Sequence, residues 1–570
     1  LRHPAIVRRQ VDQLNPHMVA QHGEVIARLL AARGVNTPQD GDLSLQSLAH
    51  FQSLKGIDAG AELLQQALLE QWSVLIVGDF DVDGATSTAL AVQGLKAFGF
   101  QQVDYLVPNR FSYGYGLTPG LVGEAAKLNP NLIITVDNGI AAVDGVQAAQ
   151  ALGIKVLVTD HHLPGDQLPE AQAIVNPNQP GCQFPSKAAC GCAVMFYLLS
   201  AFRARLKAAN DPRWQVNMGQ FLDLLALATV ADVVPLDHNN RIMVAAGIQR
   251  IRKGQARPGI MALIEVAGRQ YQRIEAADFG FALGPRINAA GRLDDMSIGI
   301  ECLLTENAAT ARELATLLDS FNRDRRSIEQ SMHDDALQAL QAIKLDEQPT
   351  GVVLFEPSWH QGVVGILASR IKERLHRPVI AFAMNDEQTE LKGSGRSIPG
   401  LHLRDMLDLL DKRYPNLISK FGGHAMAAGL TIAADNIQAF RQAFNHVIET
   451  QIDANLLNPE LLTDGSLPAS LRTIEFCYQL KTFGPYGQKF PEPCFDDYFT
   501  IIQQRIVGEK HLKLLLQDEA GQTIDAIAFN VDLDIWPNQA RQAHVVYQLD
   551  ANHFRGNTSL QLMVQYIEPK

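Results

Sequence analysis

Val74-Leu75-Ile76-Val77-Gly78-Asp79-Phe80-Asp81-Val82-Asp83-Gly84 is the stretch on which the fold turns. An apolar run breaks into glycine and three alternating acids. The pattern recurs twice more: Leu132–Val136 runs into Asp137-Asn138-Gly139, and residues 156–159 run into Asp160-His161-His162. Short β-branched runs followed by helical stretches predict parallel strands of an α/β unit. In such sheets the ligand crevice lies beyond the carboxyl ends of the strands. Acids and imidazoles delivered there from several strands converge, repel one another and drive carboxyl pKa values upward. Divalent cations are the natural compensation.

An oxygen-rich donor set with imidazole and no thiolate suits Mg²⁺ or Mn²⁺. Two such ions held roughly 3.5 to 4 Å apart clamp the attacking and leaving oxygens of a phosphoryl displacement, so the pattern predicts a hydrolytic two-metal site. The spacing Asp79-x-Asp81-x-Asp83-Gly84 also matches the opening of an EF-hand loop. That reading fails because the twelfth position is Leu90, where a bidentate Glu is required, and the preceding segment reads as strand. A fourth acid, Asp232, follows the apolar residues 221–230. One acidic turn alone is as readily a solvated loop, but several at compatible positions favour a site, and an Asp-His-His run at a strand end favours ligands.

The residues now carry a resemblance. Gly78 to Thr86, Val136-Asp137-Asn138-Gly139, Thr159-Asp160-His161-His162 and Ala231-Asp232-Val233-Val234-Pro235 resemble the metal motifs of the DHH phosphoesterase superfamily. Gly284-Pro285-Arg286-Ile287-Asn288-Ala289-Ala290-Gly291-Arg292, Gly393-Ser394-Gly395-Arg396-Ser397 and Phe421-Gly422-Gly423-His424 resemble motifs of its single-strand-specific DNA exonuclease branch, and the likeness runs through nearly the whole chain. The resemblance implies that Asp137 bridges two ions, with Asp83, His161 and Asp232 completing one ligand set and Asp79 and Asp81 serving the other. His162 would lie beside the scissile phosphate, so His162 and Asp137 are the implied catalytic residues. Arg110, Arg286, Arg292, Ser394, Arg396 and His424 would hold substrate, Arg286, Ser394 and Arg396 at the 5′-terminal phosphate. One position departs: Val77 stands where some members carry His two residues before the first acid, which implies a weaker second metal site.

Composition is compatible. A chain of 570 residues, 46% hydrophobic and 19% charged, is long enough for three or four domains. The net charge of −12 weighs against a nucleic-acid partner only superficially, since many acids sit in the proposed metal site and phosphate affinity depends on local basic fields. Arg241, Arg250, Arg252, Lys253 and Arg257 form a basic stretch that reads equally as a solvated helix face. Six cysteines make no disulfide framework; Cys182, Cys190 and Cys192 cluster, but without C-x₂-C spacing buried thiols are the better reading than zinc. No segment reads as a membrane span or signal core, so a cytoplasmic, nucleoid-associated role is expected. The glycine-rich run at 393–400 lacks a dinucleotide fingerprint and no Walker motif is present.

Coarse patterning divides the chain into an amino-terminal helical segment (1–60), an α/β domain with all metal motifs (61–305), a long amphipathic connecting helix (306–345), a second α/β domain (346–460) and a carboxy-terminal β-barrel (461–570). Strands are expected at 352–355, 379–382, 500–507, 511–516, 523–529, 544–549 and 559–567. By resemblance the fold class is α/β, with a DHH parallel-sheet domain, a DHH-associated domain and an OB-fold, in which Tyr547, Phe554, Arg555 and Lys513 would stack on or flank a single strand. The aromatics could equally fill the barrel core. The expected function is a metal-dependent exonuclease of DNA repair and recombination that threads single-stranded DNA into a cleft between the α/β domains and releases 5′-mononucleotides from the 5′ end. By family resemblance its partners are a single-strand-binding protein and a helicase. Two rival readings are a superfamily phosphatase acting on pyrophosphate or short oligonucleotides, and a nucleic-acid adaptor without chemistry.

Overall fold

A computed structural model describes residues 4–108, 116–341, 349–385, 387–508, 510–531, 536, 540–554 and 557–570. The first strand, β1 (Ala5–Arg8), pairs with β12 (Glu460–Thr463). The amino-terminal segment is therefore not wholly helical: its β-branched Ile6-Val7 run takes a partner far along the chain, which local periodicity does not reveal. Helices Pro16–His22 and Glu24–Ala31 follow, and helix Ile57–Leu69 runs straight through residue 60.

The amino-terminal parallel sheet is built from β2 (Val74–Val77), β3 (Val103–Leu106), β4 (Leu132–Val136), β5 (Lys155–Thr159) and β6 (Ala173–Val175), in the order β3-β2-β4-β5-β6. Every pairing is parallel, with Val77 opposite Thr135 and Val136 opposite Thr159. All side chains of β2 and β4 are buried, which explains their unbroken apolar runs: helices cover both faces of a parallel sheet. The parallel register brings the motifs after β2, β4 and β5 to one sheet edge. The order reverses between β2 and β4, the switch point at which such sheets open a crevice. The apolar stretch before Asp232 is a buried helix, Leu222–Ala231, and Asp232 caps its carboxyl end.

The connecting helix spans Ala308–Gln341. Contacts divide the chain into two compact units, residues 8–319 with 462–570 and residues 1–7 with 320–461, so the division falls inside this helix. The second unit holds β7 (Val352–Phe355), β8 (Val379–Met384), β9 (Glu390–Arg396), β10 (Lys420–Gly423) and β11 (Ala427–Ala433) in the order β10-β11-β9-β8-β7, parallel only between β7 and β8. Phe382, Phe440 and Phe444 centre its core.

Strands β13 (Phe495–Val507), β14 (His511–Gln517), β15 (Thr523–Ala528), β16 (Gln542–Phe554) and β17 (Asn557–Pro569) close into a barrel. Along β14, Leu512, Leu514 and Leu516 point inward in strict alternation. Tyr547, expected as a stacking platform, is instead wholly buried, donating to Asp497 Oδ2 at 2.7 Å and accepting from Arg472 at 3.2 Å. The barrel core needs a large side chain there, and the Asp497 and Arg472 network satisfies its hydroxyl. Lys513 pairs with Asp525 at 3.2 Å. The side chain of Phe554, and Arg555 altogether, lie outside the described residues. The barrel belongs to the same compact unit as the amino-terminal parallel sheet: Arg33 and Asp464 form a buried ion pair at 2.8 Å, and Arg241 lies 3.8 Å over the Phe490 ring. Among the described residues no helix is long and apolar enough to cross a membrane.

Candidate metal centre

Asp81 caps the helix Val82–Ala97, its Oδ1 accepting from Gly84 N at 3.0 Å, and Asp83 sits in the first turn. Asp83 is fully buried yet well solvated by backbone. Its Oδ2 accepts from Gly191 N at 2.6 Å and its Oδ1 from Cys192 N at 2.9 Å, donors at the start of helix Gly191–Ala208. Asp137 leaves β4 with a left-handed φ of 61°, and a Cβ at Gly191 would lie 2.6 Å from its own Cβ. Only glycine lets the helix approach that closely. Cys190 and Cys192 flank this contact as buried thiols, their pKa values driven up by burial and by Asp83.

His161 Nε2 lies 3.1 Å from Asp137 Oδ1, 3.6 Å from Asp232 Oδ2 and 3.8 Å from Asp83 Oδ2. Three ligand-atom sets fall within 4.8 Å: Asp79, Asp81 and Asp137; Asp83, His161 and Asp232; and Asp137, His161 and His162. All six expected ligands thus converge, with Asp137 shared between sets. His161 Nε2 and Asp232 Oδ2 are buried atoms with no hydrogen-bond partner among the described residues, two electron-pair donors 3.6 Å apart that a cation would satisfy. Burial and the neighbouring Asp83 push the carboxyls of Asp81, Asp137 and Asp232 above their ordinary range, while burial keeps His161 neutral, the form that ligates. Hard oxygens with neutral imidazole fit Mg²⁺ or Mn²⁺. Val77 is fully buried and carries no donor side chain.

Asp160 is the functional residue that sequence reading passed over, although it opens the Asp-His-His run. Its Oδ1 accepts from His161 N at 2.7 Å, His162 N at 3.1 Å and His162 Nδ1 at 2.8 Å, and its Oδ2 accepts from Ile140 N at 2.9 Å. It therefore fixes the backbone of both histidines and orients the His162 imidazole. Burial works against the charge of this carboxylate, but the hydrogen bond and charge of His162 win and hold its pKa low. In return, although burial alone would lower it, the pKa of His162 is raised to about 9 by Asp160. Asn288 was likewise not singled out: its Oδ1 accepts from Val82 N at 3.1 Å and steadies the start of the helix bearing Asp83.

The expected substrate residues divide. Ser394 and Arg396 adjoin on β9, with Arg396 Nη1 donating to Ser394 Oγ at 3.1 Å and Gly395 O at 2.8 Å. Burial lowers the Arg396 pKa, and no carboxylate partners it among the described residues. The start of helix Val364–Leu375 closes over them: a Cβ at Gly365 would stand 2.9 Å from Ser394 Oγ and 3.1 Å from Arg396 Nη2. Arg286 is engaged, its Nε donating to Asp319 Oδ1 at 2.9 Å and its Nη1 to Ala282 O at 2.6 Å. Arg292 ends helix Gly284–Leu293, and His424 is exposed between β10 and β11. Arg110 lies outside the described residues. The basic stretch is not one phosphate-facing stripe. Arg257 makes a buried ion pair with Asp223 at 3.0 Å, and Arg252 donates to Ile274 O.

Comparison with known proteins gives a consistent result. The DHH family N-terminal domain matches residues 73–229, the DHHA1 domain residues 348–450 and the RecJ OB domain residues 463–566. The single-stranded-DNA-specific exonuclease RecJ of Escherichia coli is 50% identical over 99% of this chain and 98% of its own length. Its Bacillus subtilis counterpart is 32% identical over 95% of this chain and 67% of its own. The crystal structure of RecJ in complex with Mn²⁺ from Thermus thermophilus superposes with a TM-score of 0.83 at 28% identity, covering 99% of this chain and 80% of that one, and the Mg²⁺ complex superposes at 0.77.

Proposed function

The chain belongs to the RecJ family of DHH phosphoesterases, and from that premise we propose that it is a metal-dependent, single-stranded-DNA-specific exonuclease acting in DNA repair and recombination, degrading strands from the 5′ end. The observation that carries the reading is the convergence of six ligand residues around the shared Asp137 at the switch point of the sheet. In this reading Asp83, His161, Asp232 and Asp137 would hold one Mg²⁺ or Mn²⁺, and Asp79, Asp81 and Asp137 would hold a second. When bound, the metals activate water and neutralise charge on the phosphodiester.

The remaining work falls to protein groups. His162, its protonated form favoured by Asp160, which also fixes Nδ1, offers its other ring edge to charge developing on the scissile phosphate or the leaving 3′-oxygen. A buried guanidinium without a carboxylate partner among the described residues, beside a hydroxyl and a helix start, supports Arg396, Ser394 and Gly365 as the seat of a terminal 5′-phosphate. That seat supplies polarity, since a 3′ end lacks the group it binds. By family resemblance Arg110, Arg286, Arg292 and His424 are further candidates for contact with the strand, and Arg286 would engage phosphate only by releasing Asp319. A single-strand-binding protein and a helicase supply substrate in the cytoplasm beside the nucleoid, and co-purification on an immobilised copy of the chain tests that part.

The deciding experiment compares end-labelled single strand, duplex, dinucleotide and pyrophosphate, with Mn²⁺, with Mg²⁺ and in excess EDTA. Cleavage of the long single strand, with label released first from the 5′ end and abolished by EDTA, is expected. Preference for pyrophosphate would favour the phosphatase, and binding without hydrolysis the adaptor.

A further inference from the structure

Val233 directly follows Asp232 and holds a left-handed φ of 61°, a conformation that L-residues avoid and β-branched ones avoid most. Its side chain is 63% exposed, so no burial offsets the strain. Nor is the turn loose: Val233 N donates to Val230 O at 3.2 Å, Leu236 N to Gln488 O at 2.7 Å, and Pro235 O accepts from Asn240 Nδ2 at 2.9 Å. Backbone strain held this firmly concentrates where side chains serve function.

A second exposed apolar side chain stands on a segment packed against the helix that ends at Asp232. Phe281 is 79% exposed, more than any other large apolar side chain among the described residues. It sits on a π-helical turn, Phe279–Leu283, a rare geometry often found at functional sites. Two glycines set that turn against the end of the helix bearing Asp232: a Cβ at Gly280 would lie 3.6 Å from Val230 Cγ1, and one at Gly284 3.2 Å from Ala231 Cβ. One exposed apolar group thus directly follows Asp232 in the chain, and the other stands on a turn packed against the end of the helix that Asp232 caps.

We propose that Val233 and Phe281 form an apolar seat for the nucleobase beside the scissile phosphate. The metal ligands and arginines address only phosphate. A flat base face is the apolar part of the strand that remains, and an aromatic ring with an aliphatic branch is the chemistry that receives it. Base faces in a duplex are covered by stacking neighbours, so the seat adds to single-strand selectivity. The proposal rests on the exonuclease reading above.

The test compares an intact single strand with the same strand carrying abasic residues at the end being degraded, using the full-length chain and its Val233→Gly and Phe281→Ala variants. Wild type is expected to cleave the intact strand about tenfold more efficiently in kcat/KM than the abasic one, at the scale of a single stacking contact. Each variant should lose efficiency on the intact strand alone, so that the ratio collapses toward unity. Val233→Gly should unfold at or above the wild-type midpoint, because glycine adopts this φ without strain, so its loss of activity cannot be laid to misfolding. Equal cleavage of both strands by wild type would overturn the seat, as would variants that keep the wild-type ratio. Absence of cleavage of the intact strand by wild type would overturn the exonuclease reading and the seat with it.

Discussion

Asp137→Asn should make the metal-free protein more stable while removing its chemistry. Asp137 is 1% exposed, lies at a left-handed φ of 61° and is packed against Gly191. Asn keeps that shape and is the residue, after Gly, that best tolerates this conformation. What changes is charge. Asp83, Asp81, Asp232 and Asp79 all push the Asp137 carboxyl upward on top of burial. At an effective dielectric of about 20, a like charge about 5 Å away costs about 3 kcal/mol, and proton redistribution and screening leave a net gain of about 1 to 3 kcal/mol for the variant near pH 8.

The direction with pH follows from linkage. A carboxyl whose folded pKa exceeds its unfolded value weakens folding above that folded pKa, and the penalty fades as pH falls to the unfolded value near 3.9. The advantage of Asp137→Asn should therefore be greatest near pH 8 and vanish toward about pH 4. Unfolding midpoints in EDTA measure this, and repeating them with Mn²⁺ measures the loss of ligation. Wild type should gain about 2.7 kcal/mol at one hundred times Kd, while the variant should gain little and lose about 10³-fold or more in cleavage. A variant less stable than wild type in EDTA at alkaline pH, or one with full Mn²⁺ stabilisation, would refute the bridging role.

Asp160→Asn should leave the His162 imidazole without its anionic anchor, lowering the His162 pKa from about 9; the alkaline limb of the kcat/KM profile should move to lower pH, and an unmoved limb would separate His162 from the chemistry. Arg396→Ala should reduce cleavage of 5′-phosphorylated strands roughly 10- to 150-fold relative to 5′-hydroxyl strands, the worth of about 1.5 to 3 kcal/mol of charge-assisted bonding, and equal losses would dissolve the pocket. Truncation after Asn458 removes Asp464 and Phe490, stranding the buried Arg33 and Arg241. Breaking such a pair costs about 3 to 5 kcal/mol, so limited proteolysis should find the fragment poorly folded, whereas a stable, active fragment would show that the barrel is dispensable to the catalytic fold.

Where a residue's role follows from its local pattern, the chain by itself determined it. The β-branched runs before Asp79, Asp137 and Asp160 marked parallel strands, and the rule that such strands present ligands at their carboxyl ends placed the acids and both histidines at one edge. The leucine alternation of β14 and the uninterrupted amphipathic pattern of Ala308–Gln341 were legible for the same reason. Tertiary structure alone decided the rest. Asp232 arrives from a helix end, Arg257 is taken up by Asp223 and Arg286 by Asp319, Tyr547 points into the barrel, and Val233 and Phe281 stay in solvent. Periodicity reports which side chains share a face of an element. It carries no information about which distant segment covers that face, and the burial and charge pairing that settle each residue's role depend on that covering.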